Sequence, residues 1–148
     1  MGSREKMEQY AVAQDIAAVQ SGQVYQNVLS LFDPESFVEI DSQVVSEVSD
    51  REGAEAVPGD GVVSGYGPVD GRLVFVAAQD ADVMAGGVGL LHAAKFSKTV
   101  SLALQAGAPF VAMLDSGGLR LDEGLLVLDG VAEMVESMRE AKGIIPML

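Results

Sequence analysis

Apolar and polar positions divide the chain into a helical first part and a more sharply patterned second part. Arg4–Gln20, rich in Ala and Gln, predicts a helix that Ser21-Gly22 breaks. Helical spacing resumes over Val24–Phe32, with Tyr25, Val28, Leu29 and Phe32 on one face. Asp33-Pro34-Glu35 reads as a turn and Phe37–Ile40 as a short strand. Ser46–Asp60 reads as an acidic, solvated connection. Gly61–Tyr66 and Arg72–Gln79 then predict two strands. Gly67–Gly71 is the hairpin turn between them, with Asp70-Gly71 as its signal. Gly89–Ala106 predicts a helix that buries Ala93, Phe96, Val100 and Ala103, leaves Lys95 and Lys98 elsewhere on its surface, and ends at Gly107. The unbroken apolar run Phe110–Leu114 is expected of a strand covered on both faces. Asp122–Lys142 predicts a second helix with the stripe Leu128, Val131, Val135 and Met138, and Gly143 as its C-cap. Ile144–Leu148 begins one more strand.

The order from Gly61 onward is β-β-α-β-α-β, which predicts an α/β layered domain with right-handed crossovers. Its last strand lacks a covering helix, as in a domain divided between chains. At 148 residues and 49% hydrophobic content the chain is about one domain with a real core. A formal net charge of −13 repels phosphate backbones and anionic lipid, so nucleic-acid binding is excluded as the main function. Cysteine is absent, which removes disulfides, thiolate ligands and a cysteine nucleophile, and fits a cytoplasmic protein. No apolar run reaches the ~18 residues of a membrane span.

Candidate chemistry concentrates where strands meet helices. Asp115-Ser116-Gly117-Gly118-Leu119-Arg120 follows one apolar run, and Gly86-Gly87-Val88-Gly89 follows another. Paired glycines let backbone N–H groups turn toward a bound atom. Donors fixed beside a helix start can stabilise an anion or a developing oxyanion. Gly87-Val88-Gly89 lacks the third glycine of a dinucleotide fingerprint, and no Walker-type lysine follows. A nucleophile elbow around Ser116 would need glycine where Leu114 stands. His92 is the sole histidine, and no carboxylate cluster has metal-ligand spacing, so no metal site is expected.

These blocks, in this order, resemble the biotin-dependent acyl-CoA carboxyltransferases, a family that includes acetyl-CoA and propionyl-CoA carboxylase β subunits and related decarboxylases. The resemblance runs from Leu31-Phe32-Asp33-Pro34 through Pro58–Gly67, Asp70–Val76, Gln79-Asp80, Gly86-Gly87-x-Gly89 and His92-Ala93-x-Lys95. It continues through Asp115-Ser116-Gly117-Gly118-x-Arg120-x-x-Glu123-Gly124 to Gly143-Ile144-Ile145-Pro146. It implies a crotonase-like (ClpP/crotonase) ββα-repeat fold, present in part over residues 37–148 after a helical segment, residues 1–36. It also implies movement of a carboxyl group between biotin, carried on a partner protein, and the α-carbon of an acyl-CoA.

On this resemblance Gly117 and Gly118 are the oxyanion-hole candidates. Gly86 and Gly87 would shape the acyl-CoA pocket, and Lys95, Lys98 and Arg120 would neutralise CoA phosphates or a carboxylate. The family pattern departs at Val88, usually Ser, at Leu90-Leu91, usually polar, and at Leu119, usually Ala. A family domain continues beyond the equivalent of Leu148, so a complementary chain, a biotin carrier and a homo- or hetero-oligomer are the expected partners. The alternative expectation is a non-catalytic CoA-binding or assembly subunit of a carboxylase or decarboxylase complex. A hydrolase or hydratase is the third and has no motif behind it.

Overall fold

A computed structural model describes residues 18–45 and 58–148. Most of the helix expected over Arg4–Gln20, and most of the Ser46–Asp60 loop, lie outside the described residues. The elements are α1 (Gln23–Leu31), β1 (Val38–Ile40), β2 (Val62–Val69), β3 (Arg72–Gln79), α2 (Leu90–Ala106), β4 (Phe110–Met113) and α3 (Leu126–Ala141). One sheet holds the four strands in the order β1-β2-β3-β4. The first three pair antiparallel, and β4 runs parallel to β3. A parallel pair needs a crossover, which α2 supplies.

Asp70 and Gly71 turn the β2–β3 hairpin with φ of 49° and 73°, as a two-residue left-handed turn requires. The strands run further than expected, because Gly67 and Pro68 stay in β2 opposite Val74 and Leu73. Proline is tolerated there because β1 pairs only as far as Tyr66, leaving that end of β2 an edge. The Asp33 carboxylate ties the hairpin down by accepting the Asp70 and Gly71 N–H groups, each at 3.0 Å.

Alternation along β3 builds two cores. Phe75 and Ala77 pack with Val62, Phe96, Val100, Ala103 and Phe110 on the α2 side. Val74, Val76 and Ala78 pack with Val28, Phe32 and Val63 on the α1 side. Phe96 and Phe110 meet edge to face at 5.3 Å in the larger core. Tail residues Pro146 and Leu148 hydrogen-bond along β4 through Phe110 and Ala112, at 2.9–3.0 Å, so the expected last strand is begun.

Four expectations are corrected. Leu29 is 38% exposed, because Val28 and Phe32 turn the inner face of α1 away from it. In β4 only Phe110 is fully buried, and Leu114 beyond it is exposed. Helix α3 starts later than expected and buries Val127, Gly130, Ser137 and Ala141, while Leu128 and Val135 are exposed. Its rotation follows its smallest residues: a Cβ on Gly130 would lie 2.9 Å from Leu90 Cδ1 and 3.3 Å from Ala93 Cβ. Lys95 and Asp60, expected at the surface, are 2% and 3% exposed.

Candidate active site

Because β3 and β4 are parallel neighbours, the loops that follow them leave the same edge of the sheet. The two glycine clusters therefore meet. Gly117 N–H donates to Ala85 O at 2.9 Å and Val88 N–H donates to Gly118 O at 2.8 Å. Arg120 N–H donates to Val88 O at 3.0 Å, completing a parallel bridge between Val88 and Leu119. Ser116 Oγ donates to Gly86 O at 3.1 Å.

The crossing is possible only with glycine. A Cβ on Gly86 would strike the Asp115 carbonyl, and one on Gly117 would strike the Ala85 carbonyl. Gly118 differs: nothing lies within 4 Å of where its Cβ would be, and its φ of 116° is what excludes other residues. On the facing loop Met84, Ala85 and Gly86 all have positive φ, at 48°, 54° and 67°. Two non-glycine residues in that region store strain of roughly 1–3 kcal/mol each.

Between the loops lies a cleft of about 310 Å³ whose lining includes Ala85, Gly87, Gly117, Gly118, Leu119 and Arg120. Of the two oxyanion candidates, Gly117 N–H is already held by Ala85. Gly118 N–H reaches only Ser116 Oγ, at 3.2 Å and exposed.

Of the three cations, only Arg120 lines the cleft. Lys95 drives its stem through the core and donates to the carbonyls of Gly59 at 2.9 Å and Val62 at 2.5 Å. Burial pushes its pKa down to about 8. Lys98 pairs with Asp41 at 2.8 Å. Neither lines the cleft. Arg120 does, but the residue is 5% exposed and its guanidinium is spent on Asp60 Oδ1 at 2.5 Å, Asp60 O at 3.1 Å and Glu123 Oε1 at 3.4 Å. A single cation between two carboxylates leaves no net positive charge for a ligand. Helix α2 begins here too, and Glu123 Oε2 accepts the Leu90 N–H at 2.7 Å. This helix start is closed to an outside anion by a carboxylate of the chain itself.

Burial pushes the Asp60 carboxyl up, against the pull of Arg120 and of the nearby His92 backbone. Among the described residues, the buried Asp60 Oδ2, Arg120 Nε and His92 Nδ1 have no hydrogen-bond partner. His92 is fully buried, and burial beside Arg120 and Lys95 lowers its pKa to about 4. Its Nε2 lies 2.9 Å from Gln79 Nε2, and Gln79 Oε1 accepts the Asp115 N–H at 3.0 Å.

A family model described as the carboxyl transferase domain matches residues 23–148. The chain belongs to the carboxyl transferase domain family. This carboxyl transferase domain is 42% identical over 124 residues to the methylmalonyl-CoA decarboxylase subunit alpha of Veillonella parvula, covering 83% of this chain and 24% of that protein. It is 37% identical over 147 residues to a putative propionyl-CoA carboxylase beta chain of Bacillus subtilis, covering 99% of this chain and 27% of that one. Transcarboxylase 12S, solved as a hexamer with methylmalonyl-coenzyme A and methylmalonic acid bound, superposes with a TM-score of 0.84 at 32% identity. That match covers 99% of this chain and 32% of the other. The carboxyl transferase domain described here thus spans about a quarter of the length of these curated relatives. Its mixed α/β architecture is part of the crotonase-like fold of such domains.

Of the residues singled out from the sequence, Gly87, Gly117, Gly118 and Arg120 line this cleft, while Gly86 accepts the Ser116 hydroxyl beside it; sequence reasoning missed Asp60, which holds Arg120. The available signal was Asp60 between two glycines: Gly59, Asp60 and Gly61 all take positive φ, at 77°, 53° and 71°. No described helix is long and apolar enough to cross a membrane.

Proposed function

We propose that this chain supplies the thioester end of an acyl-CoA carboxyltransferase or decarboxylase site, completed by a second chain. The observation that carries the reading is Gly118, which lines the cleft and whose N–H makes one weak, exposed and replaceable bond to Ser116 Oγ. A thioester carbonyl entering between the loops takes that bond. As the α-carbon gains or loses its carboxyl group, charge moves onto this oxygen. Gly118 N–H, joined by Gly117 N–H once Ala85 releases it, stabilises the enolate. Fixed backbone donors do this without reorganising, which is the source of their catalytic value.

The cleft itself carries no free cation, so it suits the neutral acyl end. The CoA phosphates are left to surfaces outside it. Gly87 lines the wall, with Gly86 behind it holding the Ser116 hydroxyl, and Met84 and Leu119 give the acyl group an apolar border. Biotin, on a carrier protein, would accept or deliver the carboxyl group. A cytosolic hetero- or homo-oligomer is the setting this reading requires.

The test is to co-purify the chain with a complementary carboxyltransferase half and a biotin carrier. Carboxyl transfer to acetyl-CoA and propionyl-CoA, and decarboxylation of methylmalonyl-CoA, are then assayed. Gly118→Val is expected to lower kcat by roughly 10²–10³. Absence of all three activities, or full activity in the variant, overturns the proposal. The engaged Gly117 N–H favours one competing reading, a CoA-binding or assembly subunit. That subunit would bind CoA esters in calorimetry and turn none over in any complex.

A further inference from the structure

Gln79 and His92 lie beneath the glycine loops and touch no part of the cleft. Gln79 closes β3 and is 4% exposed. A glutamine at the end of an apolar strand has two donors and an acceptor to satisfy. Its Oε1 accepts the Asp115 backbone N–H at 3.0 Å. Since a backbone N–H can only donate, this bond fixes which end of the amide is oxygen. The other end, Nε2, must then donate across 2.9 Å to His92 Nε2, which must be an acceptor. The histidine is therefore neutral, with its proton on Nδ1, a buried atom that finds no hydrogen-bond partner among the described residues; the Gln79 contact at Nε2 alone selects this tautomer. Burial and the nearby charges of Arg120 and Lys95 enforce the neutral state, with a pKa of about 4 against partial compensation from the Asp60 backbone.

Asp115 is the residue from which the Ser116-Gly117-Gly118 turn departs. Ser116 and Gly117 are bonded to the facing loop, at Gly86 O and Ala85 O. Among the described residues, only Gln79 hydrogen-bonds the turn directly to the sheet. We infer that Gln79 is a positioning residue: read in one orientation by His92, it fixes the height of the Asp115–Gly118 turn and so aims the Gly118 N–H. The inference rests on the proposed role of Gly118 for its catalytic consequence, while its geometric content stands alone. The buried His92, which no catalytic step uses, serves as the acceptor that prevents the amide from turning over. If the amide turned over, Nε2–H would face Asp115 N–H and the tie would break.

The experiment uses the full chain and its single histidine, which gives one imidazole in nitrogen-detected NMR. At pH 7 the wild-type ring is expected to carry its proton on Nδ1. A ring protonated on Nε2 overturns the inference without any variant. Gln79→Leu is expected to raise amide hydrogen exchange at Asp115–Gly118 at least tenfold over the rest of the sheet edge. Gln79→Glu restores protection at Asp115, because a carboxylate still accepts that N–H, and moves the imidazole proton to Nε2. Should Gln79→Leu fail to fold, Gln79→Glu and the wild-type tautomer decide the matter. Unchanged exchange in Gln79→Leu, or an unchanged tautomer in Gln79→Glu, refutes it. In an active complex Gln79→Leu lowers kcat by about 10²-fold and leaves KM for acyl-CoA nearly constant, the signature of a displaced donor. If exchange and tautomer behave as described while no complex transfers a carboxyl group, the functional reading fails and the positioning role stands.

Discussion

Asp60 Oδ1 and Arg120 Nη1 meet at 2.5 Å beneath the glycine loops, both nearly inaccessible, and tie the segment before β2 to the loop after β4. Neither partner can be removed alone without leaving a buried charge.

Arg120→Met is therefore expected to destabilise the fold by about 3–5 kcal/mol. Adding Asp60→Asn should recover much of that loss. Urea midpoints of the single and double variants measure it. A loss under about 1 kcal/mol in the single variant would show that the pair contributes little. Arg120→Lys should resemble the Met variant more than the wild type, because Lys lacks the fork that reaches both Asp60 Oδ1 and Asp60 O.

The three glycines of the crossing should respond differently to alanine. In Gly86→Ala and Gly117→Ala the new methyl group meets a backbone carbonyl, which cannot give way without parting the loops. In Gly118→Ala the methyl group meets open space, and only the φ of 116° costs energy, about 1–2 kcal/mol. Thermal midpoints should fall further for the first two than for Gly118→Ala. The reverse order would mean that the loops do not cross as described.

Acid should weaken the fold through His92. In the unfolded chain imidazole protonates near 6.5, while in the fold it stays neutral down to about 4. Between these values the unfolded state binds more protons, so stability falls as pH drops through that window, by about 3 kcal/mol in total. Asp60 and Glu39, whose carboxyls burial raises, slope the opposite way. The difference between wild type and His92→Asn isolates the imidazole. Parallel stability curves between pH 6.5 and pH 4 would contradict a neutral buried ring.

Lys95 gives a second window, at high pH. Its pKa is about 8 in the fold and 10.5 in the unfolded chain, so the unfolded state again binds more protons between them. Stability contributed by this site therefore rises with pH from about 8 to 10.5. Lys95→Met loses that rise. At neutral pH it also leaves the Gly59 and Val62 carbonyls without their donor, at roughly 1–3 kcal/mol each, offset by no longer burying an ammonium. Guanidinium melts at pH 7 and pH 10 test this, and equal pH slopes in both proteins would exclude it.

The sheet and the α2 stripe were readable because one pattern settled each. Apolar residues run through Leu73–Ala78, Asp70-Gly71 demands its turn, and Ala93, Phe96, Val100 and Ala103 repeat at helical spacing and are all fully buried. The meeting of Gly86 with Gly117 followed from two glycine-ended runs whose strands proved parallel. What stayed hidden was set by partners distant in the chain. Lys95 looks like a surface cation until the carbonyls of Gly59 and Val62 arrive to bind it. Asp60 looks like part of an acidic loop until Arg120, sixty positions on, reaches it. The rotation of α3 depended on Gly130, since hydrophobicity points to Leu128 while close approach to Leu90 favours the absence of a side chain.

The bond from Gly117 to the Ala85 carbonyl carries one more consequence. A substrate oxygen seeking that N–H competes with an intramolecular acceptor that is always present at contact. Apparent affinity then falls by the fraction of time the Ala85 bond is open. The strain in Met84 and Ala85 offsets part of this, because releasing the bond lets that turn relax. On the proposed role of Gly117, the loop would thus act as a threshold, admitting a ligand whose other contacts outweigh the exchange and discounting one that offers only a carbonyl.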